Sequence, residues 1–227
     1  MTFNTQAVYE DIKKRIHEGF YTPGVHLREA ELASQYKVSR NTVKKSLLML
    51  EGDQYLTIEP NKGAYVRSVS LEEVVQFMEL RSVLEGFIAG KAAGGIDEAK
   101  IAELGEILKT MKMFMERGEL VACSQQNQKF HEVIYSACPN LVAVDLVRKL
   151  KAQMQKYNTK TMLVPGRSVQ SYNEHIEIFN ALQMRDSEKA AQTMQLHMDN
   201  IRAVFQENFP LLFGWGDIPS PEPQERG

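Results

Sequence analysis

The sequence has little cysteine and no long apolar run. Only two of its 227 residues are cysteines, Cys123 and Cys138. This number excludes zinc sites built from paired cysteine motifs, and a chain long enough to bury its own core does not need a disulfide. No uninterrupted apolar segment approaches the roughly 20 residues that cross a bilayer, and no basic segment followed by an apolar one opens the sequence. We therefore expect a cytoplasmic protein with no membrane partner.

The composition also lacks any extreme of charge or polarity. Hydrophobic residues make up 43% of the chain and charged residues 25%, which is typical of globular proteins. The net charge of -2 is unevenly distributed, because residues 1–67 carry an excess of two positive charges and the rest an excess of four negative ones. Four cations and no anion lie between Lys37 and Lys45. Such a patch is more often a solvated surface, but it also suits a module that docks on nucleic acid.

Three helices and a β-hairpin are predicted within residues 1–68. Apolar residues recur at helical spacing in three segments, and Ser39 can cap the third. Two β-prone runs then flank the turn-forming tetrapeptide 60–63. The helical segments are 6–18, 29–35 and 40–50, and the β-prone runs are 55–59 and 64–67. This order predicts a winged helix-turn-helix, whose third helix enters the major groove of double-stranded DNA.

Residues 69–208 show helical periodicity without a convincing strand. Ser70 and Glu73 match the capping box that opens a helix, and glycine, proline or aspartate separates the helical segments that follow. These segments are about 71–93, 98–117, 120–137, 141–161, 168–184 and 187–205. We predict an antiparallel all-α bundle of about six helices, and hence a mainly α protein. Residues 209–227 are rich in proline and glycine and are predicted to be a disordered tail.

Three histidines are predicted to converge inside this bundle. Asn127 and His131 are four residues apart and therefore share one helix face. His175 and His197 each lie 11 residues from Asp186, where the last two helices turn. Eleven residues are about three helical turns, so an antiparallel hairpin places both imidazoles at the same height. One divalent cation, zinc or nickel, could satisfy the three imidazoles and the amide together. The alternative is three separately hydrogen-bonded core histidines.

Two arginines are candidates for binding a small carboxylate effector. Arg81 falls on an apolar face of the first bundle helix, where an uncompensated guanidinium would be costly, and Arg167 lies eight residues before His175. The alternative for such a buried arginine is an internal salt bridge, for example to Glu85 or Glu174.

The chain resembles the GntR family of bacterial transcription regulators. Val38-Ser39-Arg40-Asn41-Thr42-Val43 and Pro60-Asn61-Lys62-Gly63-Ala64 carry the resemblance in the N-terminal part. The helical remainder resembles the FCD-type ligand-binding domain of the FadR-like branch. The residues that carry this second resemblance are Arg81, Leu84-Glu85, the run from Asn127 to His131, Glu174-His175 and His197.

The resemblance implies roles for individual residues. Arg40 and Lys44 would reach base edges, where an arginine fork matches guanine. The other residues implied in DNA binding are Arg28, Ser39, Asn41, Thr42, Asn61, Lys62 and Gly63. The metal ligands would be Asn127, His131, His175 and His197. The chain departs from the family at three positions, because Asp is normal at Asn127, Arg is common at Lys44 and Pro is common at Thr42. The first departure weakens a metal site, because an amide oxygen is a poorer ligand than a carboxylate.

Together these features predict a ligand-responsive DNA-binding transcriptional regulator, with a repressor preferred. A homodimer would place two recognition helices on a two-fold-related operator, and an effector bound near Arg81 and the histidines would change DNA affinity. A metal-dependent enzyme is one alternative, although no convincing general base accompanies the histidines. A ligand-independent DNA-binding protein is the other. We therefore do not expect an enzyme.

Overall fold

The chain forms two compact units. The computed structural model describes residues 4–68, 70–158 and 160–213. One unit ends at Ser70 and the other begins at Leu71. Helices dominate both, as predicted for a mainly α protein. None of the helices in the described ranges combines the length and the apolar character that a bilayer crossing requires.

The first unit contains three helices and a small antiparallel sheet. Its strands are β1 (His26–Leu27), β2 (Leu56–Glu59) and β3 (Gly63–Val66), and their order in the sheet is β1-β3-β2. The N-terminal strand therefore pairs with the second strand of the predicted hairpin, which lies at the centre of the sheet. The sequence analysis predicted the hairpin but not β1, which is only two residues long. The helices are α1 (Thr5–His17), α2 (Glu29–Tyr36) and α3 (Arg40–Gly52).

Helix α3 is defined by its cap and by its buried face. The Ser39 hydroxyl accepts a hydrogen bond from the Thr42 backbone N–H at 3.1 Å, which satisfies one of the orphan donors of the first turn. Val43, Leu47 and Leu50 recur at helical spacing and are at most 1% exposed. This confirms the predicted inner face, and it turns the polar residues of α3 outward.

The second unit is a bundle of six α-helices and one short 3-10 helix within the described residues. Its helices are α4 (Leu71–Ala93), α5 (Glu98–Glu116), α6 (Leu120–Ala137), α7 (Leu141–Asn158), α8 (Arg167–Gln183) and α9 (Ser187–Phe213). The 3-10 helix Lys160–Leu163 follows α7, which ends before the predicted residue 161. Helix α9 continues past the predicted end at 205 into the predicted tail, because Phe209 is buried. Residues 214–227 of that tail lie outside the described residues.

Helices α4 and α9 approach each other closely because α4 has glycines at the contact. A Cβ added at Gly86 would lie 2.4 Å from Cγ of Gln195, and one at Gly90 would lie 2.9 Å from the backbone oxygen of Ser187. Both distances are shorter than a side chain allows. The close approach brings the candidate residues of α4 next to those of α9.

Candidate functional site

The exposed face of α3 carries most of the predicted DNA-binding residues. Arg40, Asn41 and Lys44 are exposed, and Thr42 is half-buried. Ser39 is exposed too, but its hydroxyl serves as the helix cap and lies 2.9 Å from the Thr42 hydroxyl. Ser39 therefore positions the first turn of the helix, whereas Arg40 and Lys44 lie one turn apart and extend from the same face.

The hairpin β2–β3 presents Asn61, Lys62 and Gly63 at its exposed tip. Asn61 has a positive φ of 63°, and Gly63 has a φ of 104° that favours glycine. A Cβ at Gly63 would also lie 2.5 Å from Nε2 of His26, whose ring stacks on Tyr65. The backbone conformation and the contact with His26 of β1 thus require glycine at position 63, independently of the predicted close approach to DNA.

Two residues of the same unit, Arg28 and Glu51, make side-chain hydrogen bonds. Arg28 donates from Nη1 to Oε1 of Glu31 at 3.0 Å, but both side chains are largely exposed, so the pair contributes little and leaves Arg28 accessible. The Ile58 backbone N–H donates to Oε1 of Glu51 at 2.9 Å, which ties the hairpin to α3. Sequence reasoning did not identify this link, because a glutamate at the end of an exposed helix has no distinguishing pattern.

In the helical unit, His131 of α6, His175 of α8 and His197 of α9 come together. The ring centroids of His175 and His197 are 4.5 Å apart, and His131 is 5.4 Å from each. All three residues are at most 4% exposed. Each offers a nitrogen that lies within 4.8 Å of the other two. This confirms the convergence predicted from the 11-residue spacing about Asp186.

Hydrogen bonds fix the tautomers of two of these histidines. Nδ1 of His175 lies 2.6 Å from the backbone oxygen of Ser171, and Nδ1 of His197 lies 2.6 Å from Oε2 of Glu174. Because a carbonyl and a carboxylate only accept, both Nδ1 atoms carry the proton and both Nε2 atoms are acceptors. These two Nε2 atoms and Oδ1 of Asn127 are buried and have no hydrogen-bond partner among the described residues.

Burial favours the neutral form of His131 and His175. It lowers the pKa of His131 to about 4, although Glu85 favours the charged form, and it lowers the pKa of His175 well below the ordinary value, with His197 adding to the effect. Neutral imidazoles have a lone pair available at neutral pH, which is the state that metal binding requires.

The three imidazoles can bind one divalent metal if they move slightly closer together. Two nitrogens bound tetrahedrally at about 2.05 Å are about 3.4 Å apart, so a separation of up to 4.8 Å requires the imidazoles to move inward by about 1 Å. Asn127 Oδ1 is an additional candidate ligand, and both it and His131 line the same small cavity. The residues therefore fit a histidine-rich site with one amide oxygen.

Arg81 lies in a buried charge network. It donates to Oε1 of Glu85 from Nε at 2.9 Å and from Nη2 at 2.6 Å. Oε2 of Glu85 accepts from the Tyr135 hydroxyl at 2.8 Å and lies 2.9 Å from Nδ1 of His131, which is not aligned as a hydrogen bond. Burial raises the pKa of Glu85, but Arg81 and His131 outweigh it and hold that pKa well below its usual range. Tyr135 carries no sequence signal of this role.

Arg167 also pairs internally, but less completely. Its Nη2 donates to Oε2 of Glu174 at 2.9 Å, whereas its buried Nη1 is unpaired within the described part of the chain. The internal salt bridge considered for each arginine is thus present in both. A cavity of about 40 Å³ lies beside Arg81, Arg167, Asn127 and His131 and is also lined by Lys151, which the sequence analysis did not single out. This volume holds an ion or a few waters, so an organic acid needs side chains to move.

Family comparisons match both units. The sequence profile of the bacterial regulatory proteins of the gntR family matches residues 4–66, and that of the FCD domain matches residues 76–200.

Individual proteins resemble the chain over nearly its whole length. The HTH-type transcriptional repressor RspR of Escherichia coli K12 is 26% identical over 207 residues, which are 89% of this chain and 91% of RspR. The gluconate operon transcriptional repressor of Bacillus subtilis is 24% identical and is covered over 82% of its length by 87% of this chain. The solved structure of E. coli McbR/YncC superposes with a TM-score of 0.70 at 22% identity, over 91% of this chain and 99% of that one.

Proposed function

The chain belongs to the GntR family of bacterial regulatory proteins and contains an FCD domain, and from this premise we propose that it is a metal- and ligand-responsive transcriptional repressor. The observation that carries the proposal is the convergence of three buried histidines, at most 4% exposed, in the unit that accompanies a winged helix-turn-helix. A DNA reader needs no such polar cluster in its partner domain unless that domain binds something.

DNA recognition is assigned to α3 and the hairpin. Arg40 and Lys44 extend from the exposed face of α3, where an arginine fork pairs with O6 and N7 of guanine and a lysine offers a point charge. Arg28, Asn41 and Thr42 add phosphate or base contacts, Ser39 sets the first turn of α3, and the hairpin tip (Asn61, Lys62 and Gly63) follows the backbone or the minor groove. A homodimer would place two such modules on a two-fold-related operator.

Metal binding is assigned to His131, His175, His197 and Asn127. When bound there, zinc or nickel supplies an electrophilic contact for a carboxylate oxygen. Arg167 is the better placed of the two candidate arginines for the same carboxylate, because its Nη1 is buried and unpaired within the described residues. Arg81 would first have to exchange its bonds to Glu85.

The covalent connection between the two units offers a route for the response. Strand β3 ends at Val66 and α4 begins at Leu71, and α4 carries Arg81 and Glu85 of the buried network. Any adjustment of α4 that accompanies effector binding therefore acts on the chain just after the hairpin. A change in DNA affinity then reflects a coupling free energy between the two sites.

Neutralising α3 tests the DNA-binding half. We expect the double variant R40A/K44A to bind promoter DNA from its own locus at least about 10-fold more weakly in fluorescence anisotropy, since one good base contact is worth about 1–3 kcal/mol. The dependence of binding on salt concentration should also become less steep. The matched control is K109A/K112A, which removes two largely exposed lysines from α5. Unchanged binding by R40A/K44A contradicts the proposal.

Adding ligands to the same assay tests the switch. DNA affinity is measured with and without Ni²⁺ and with a panel of small mono-, di- and tricarboxylates, and we expect at least one combination to change it. The variant H175Q should lose the response while keeping the basal DNA affinity. An affinity that no combination changes removes the ligand-responsive part of the proposal, and chelator-sensitive turnover of a carboxylate would favour the enzyme alternative.

A further inference from the structure

One carboxylate joins the histidine cluster to Arg167. Oε2 of Glu174 accepts from Nδ1 of His197 at 2.6 Å and from Nη2 of Arg167 at 2.9 Å, and Oε1 accepts from Nδ2 of Asn200 at 2.8 Å. The Glu174 carboxylate thus accepts hydrogen bonds from three donors and is held between α8 and α9.

We infer that Glu174 is a positioning residue that couples the metal and anion halves of the site: it orients His197 toward the metal and holds Arg167 until an anion replaces it. The inference rests on the proposed function, because it concerns the same site. It goes further because it assigns the link between the metal and the anion to one side chain that binds neither of them.

Glu174 orients the ring of His197. The bond from Nδ1 to Glu174 fixes the ring orientation and leaves the Nε2 lone pair directed into the cluster. His175 obtains the same tautomer from a neutral acceptor, the backbone oxygen of Ser171. The anionic acceptor makes His197 the stronger metal ligand of the two, which compensates in part for the missing carboxylate at Asn127.

Arg167 and His197 donate to the same oxygen of Glu174, Oε2. An imidazole that is coordinated to a metal through Nε2 becomes a stronger hydrogen-bond donor at Nδ1, so its bond to Oε2 of Glu174 strengthens. The bond from Arg167 weakens accordingly, and its guanidinium becomes available to an external anion. Metal and anion should therefore each raise the affinity of the other, as linkage requires.

The variant E174Q tests both halves, with E177Q as the matched control. Glu177 lies on the exposed side of the same helix, so both variants lose one negative charge from α8. Ni²⁺ and acetate binding are measured by titration calorimetry on the full chain, separately and together. We expect E174Q to bind Ni²⁺ about 10- to 100-fold more weakly, as loss of an outer-shell partner does elsewhere. In the metal-free form it should bind acetate more tightly than wild type, because Arg167 has lost its internal partner.

A second readout separates positioning from simple loss of structure. In metal-free wild-type protein, ¹⁵N–¹H correlation spectra should show His197 protonated at Nδ1, and E174Q should populate the Nε2–H tautomer. Opposite changes in Ni²⁺ and acetate affinity, together with the tautomer shift, support the inference. If E174Q matches E177Q in all three measurements while wild type binds both ligands, the inference is overturned and the proposed function stands. If wild type binds neither Ni²⁺ nor acetate, both are overturned.

Discussion

Replacing Asn127 with aspartate should strengthen metal binding. Oδ1 of Asn127 is buried without a hydrogen-bond partner in the described residues, and it lines the same cavity as His131. Asn127→Asp keeps the size of the side chain and replaces the amide with a carboxylate, which is the better ligand for zinc or nickel. Burial favours the neutral form of His131 and His175, and the two carboxylates beside the cluster are already paired, Glu85 with Arg81 and Glu174 with Arg167.

The expected size of this effect follows from linkage. We expect Ni²⁺ to bind at least about tenfold more tightly to N127D than to wild type, which is about 1.4 kcal/mol. At a Ni²⁺ concentration far above both dissociation constants, the stabilisation by the ion grows by the same amount. For a domain of this size, each kcal/mol shifts the melting temperature by about 2–4 °C. The Ni²⁺-induced shift should therefore be about 3–6 °C larger in N127D.

Thermal unfolding with and without Ni²⁺ measures this difference directly, and calorimetry gives the affinities. The control is Q125E, because Gln125 is exposed on the same helix and its replacement changes the charge by the same amount. Metal-free N127D should be no more stable than wild type, since burying a carboxylate without a partner has a cost. If N127D and Q125E show equal shifts, Asn127 does not face the ion and the four-residue ligand set is wrong.

Two further predictions concern stability. Gly63→Ala should destabilise the protein by about 1–3 kcal/mol and weaken DNA binding. Alanine is strained at a φ of 104°, and its Cβ would lie 2.5 Å from Nε2 of His26. The control Gly52→Ala, where an added Cβ meets nothing within 4 Å, should leave the melting temperature almost unchanged. Tyr135→Phe removes a hydrogen bond to the buried carboxylate of Glu85 and should cost about 1.5–3 kcal/mol in urea unfolding, and a cost near zero would show that other donors satisfy Glu85.

The sequence was sufficient to predict the elements that depend on periodicity. The inner face of α3 follows from a repeat of apolar residues, and the meeting of His175 with His197 follows from equal spacing about one turn. Both inferences need only helix geometry and the position of a break. The meeting of His175 and His197 could therefore be predicted from residue spacing, whereas the place of His131 was predicted from the helix face that it shares with Asn127.

Pairing between side chains was not predictable in the same way. Arg81 and Arg167 fall on inward faces, but whether each meets an internal carboxylate or an external one depends on rotamers and on distances between helices. Glu85 and Glu174 were among the alternatives considered, and the structure places both against these arginines. The strand β1 was missed for a different reason, since two residues are too few to show any period.

The two internal pairs also determine what kind of ligand can act on this domain. Breaking a buried ion pair by removing one partner costs about 3–5 kcal/mol, so a carboxylate that only replaced Glu174 at Arg167 would gain little. A carboxylate that also contacts a metal at the histidines gains a second interaction, and Glu174 then keeps its bond from His197. The cavity of about 40 Å³ is too small for an organic acid, so moving side chains to enlarge it adds a cost that the same ligand must offset. Carboxylates should therefore bind wild-type protein measurably only when Ni²⁺ or Zn²⁺ is present. Equal acetate affinity with and without metal would mean that the arginines alone form the effector site.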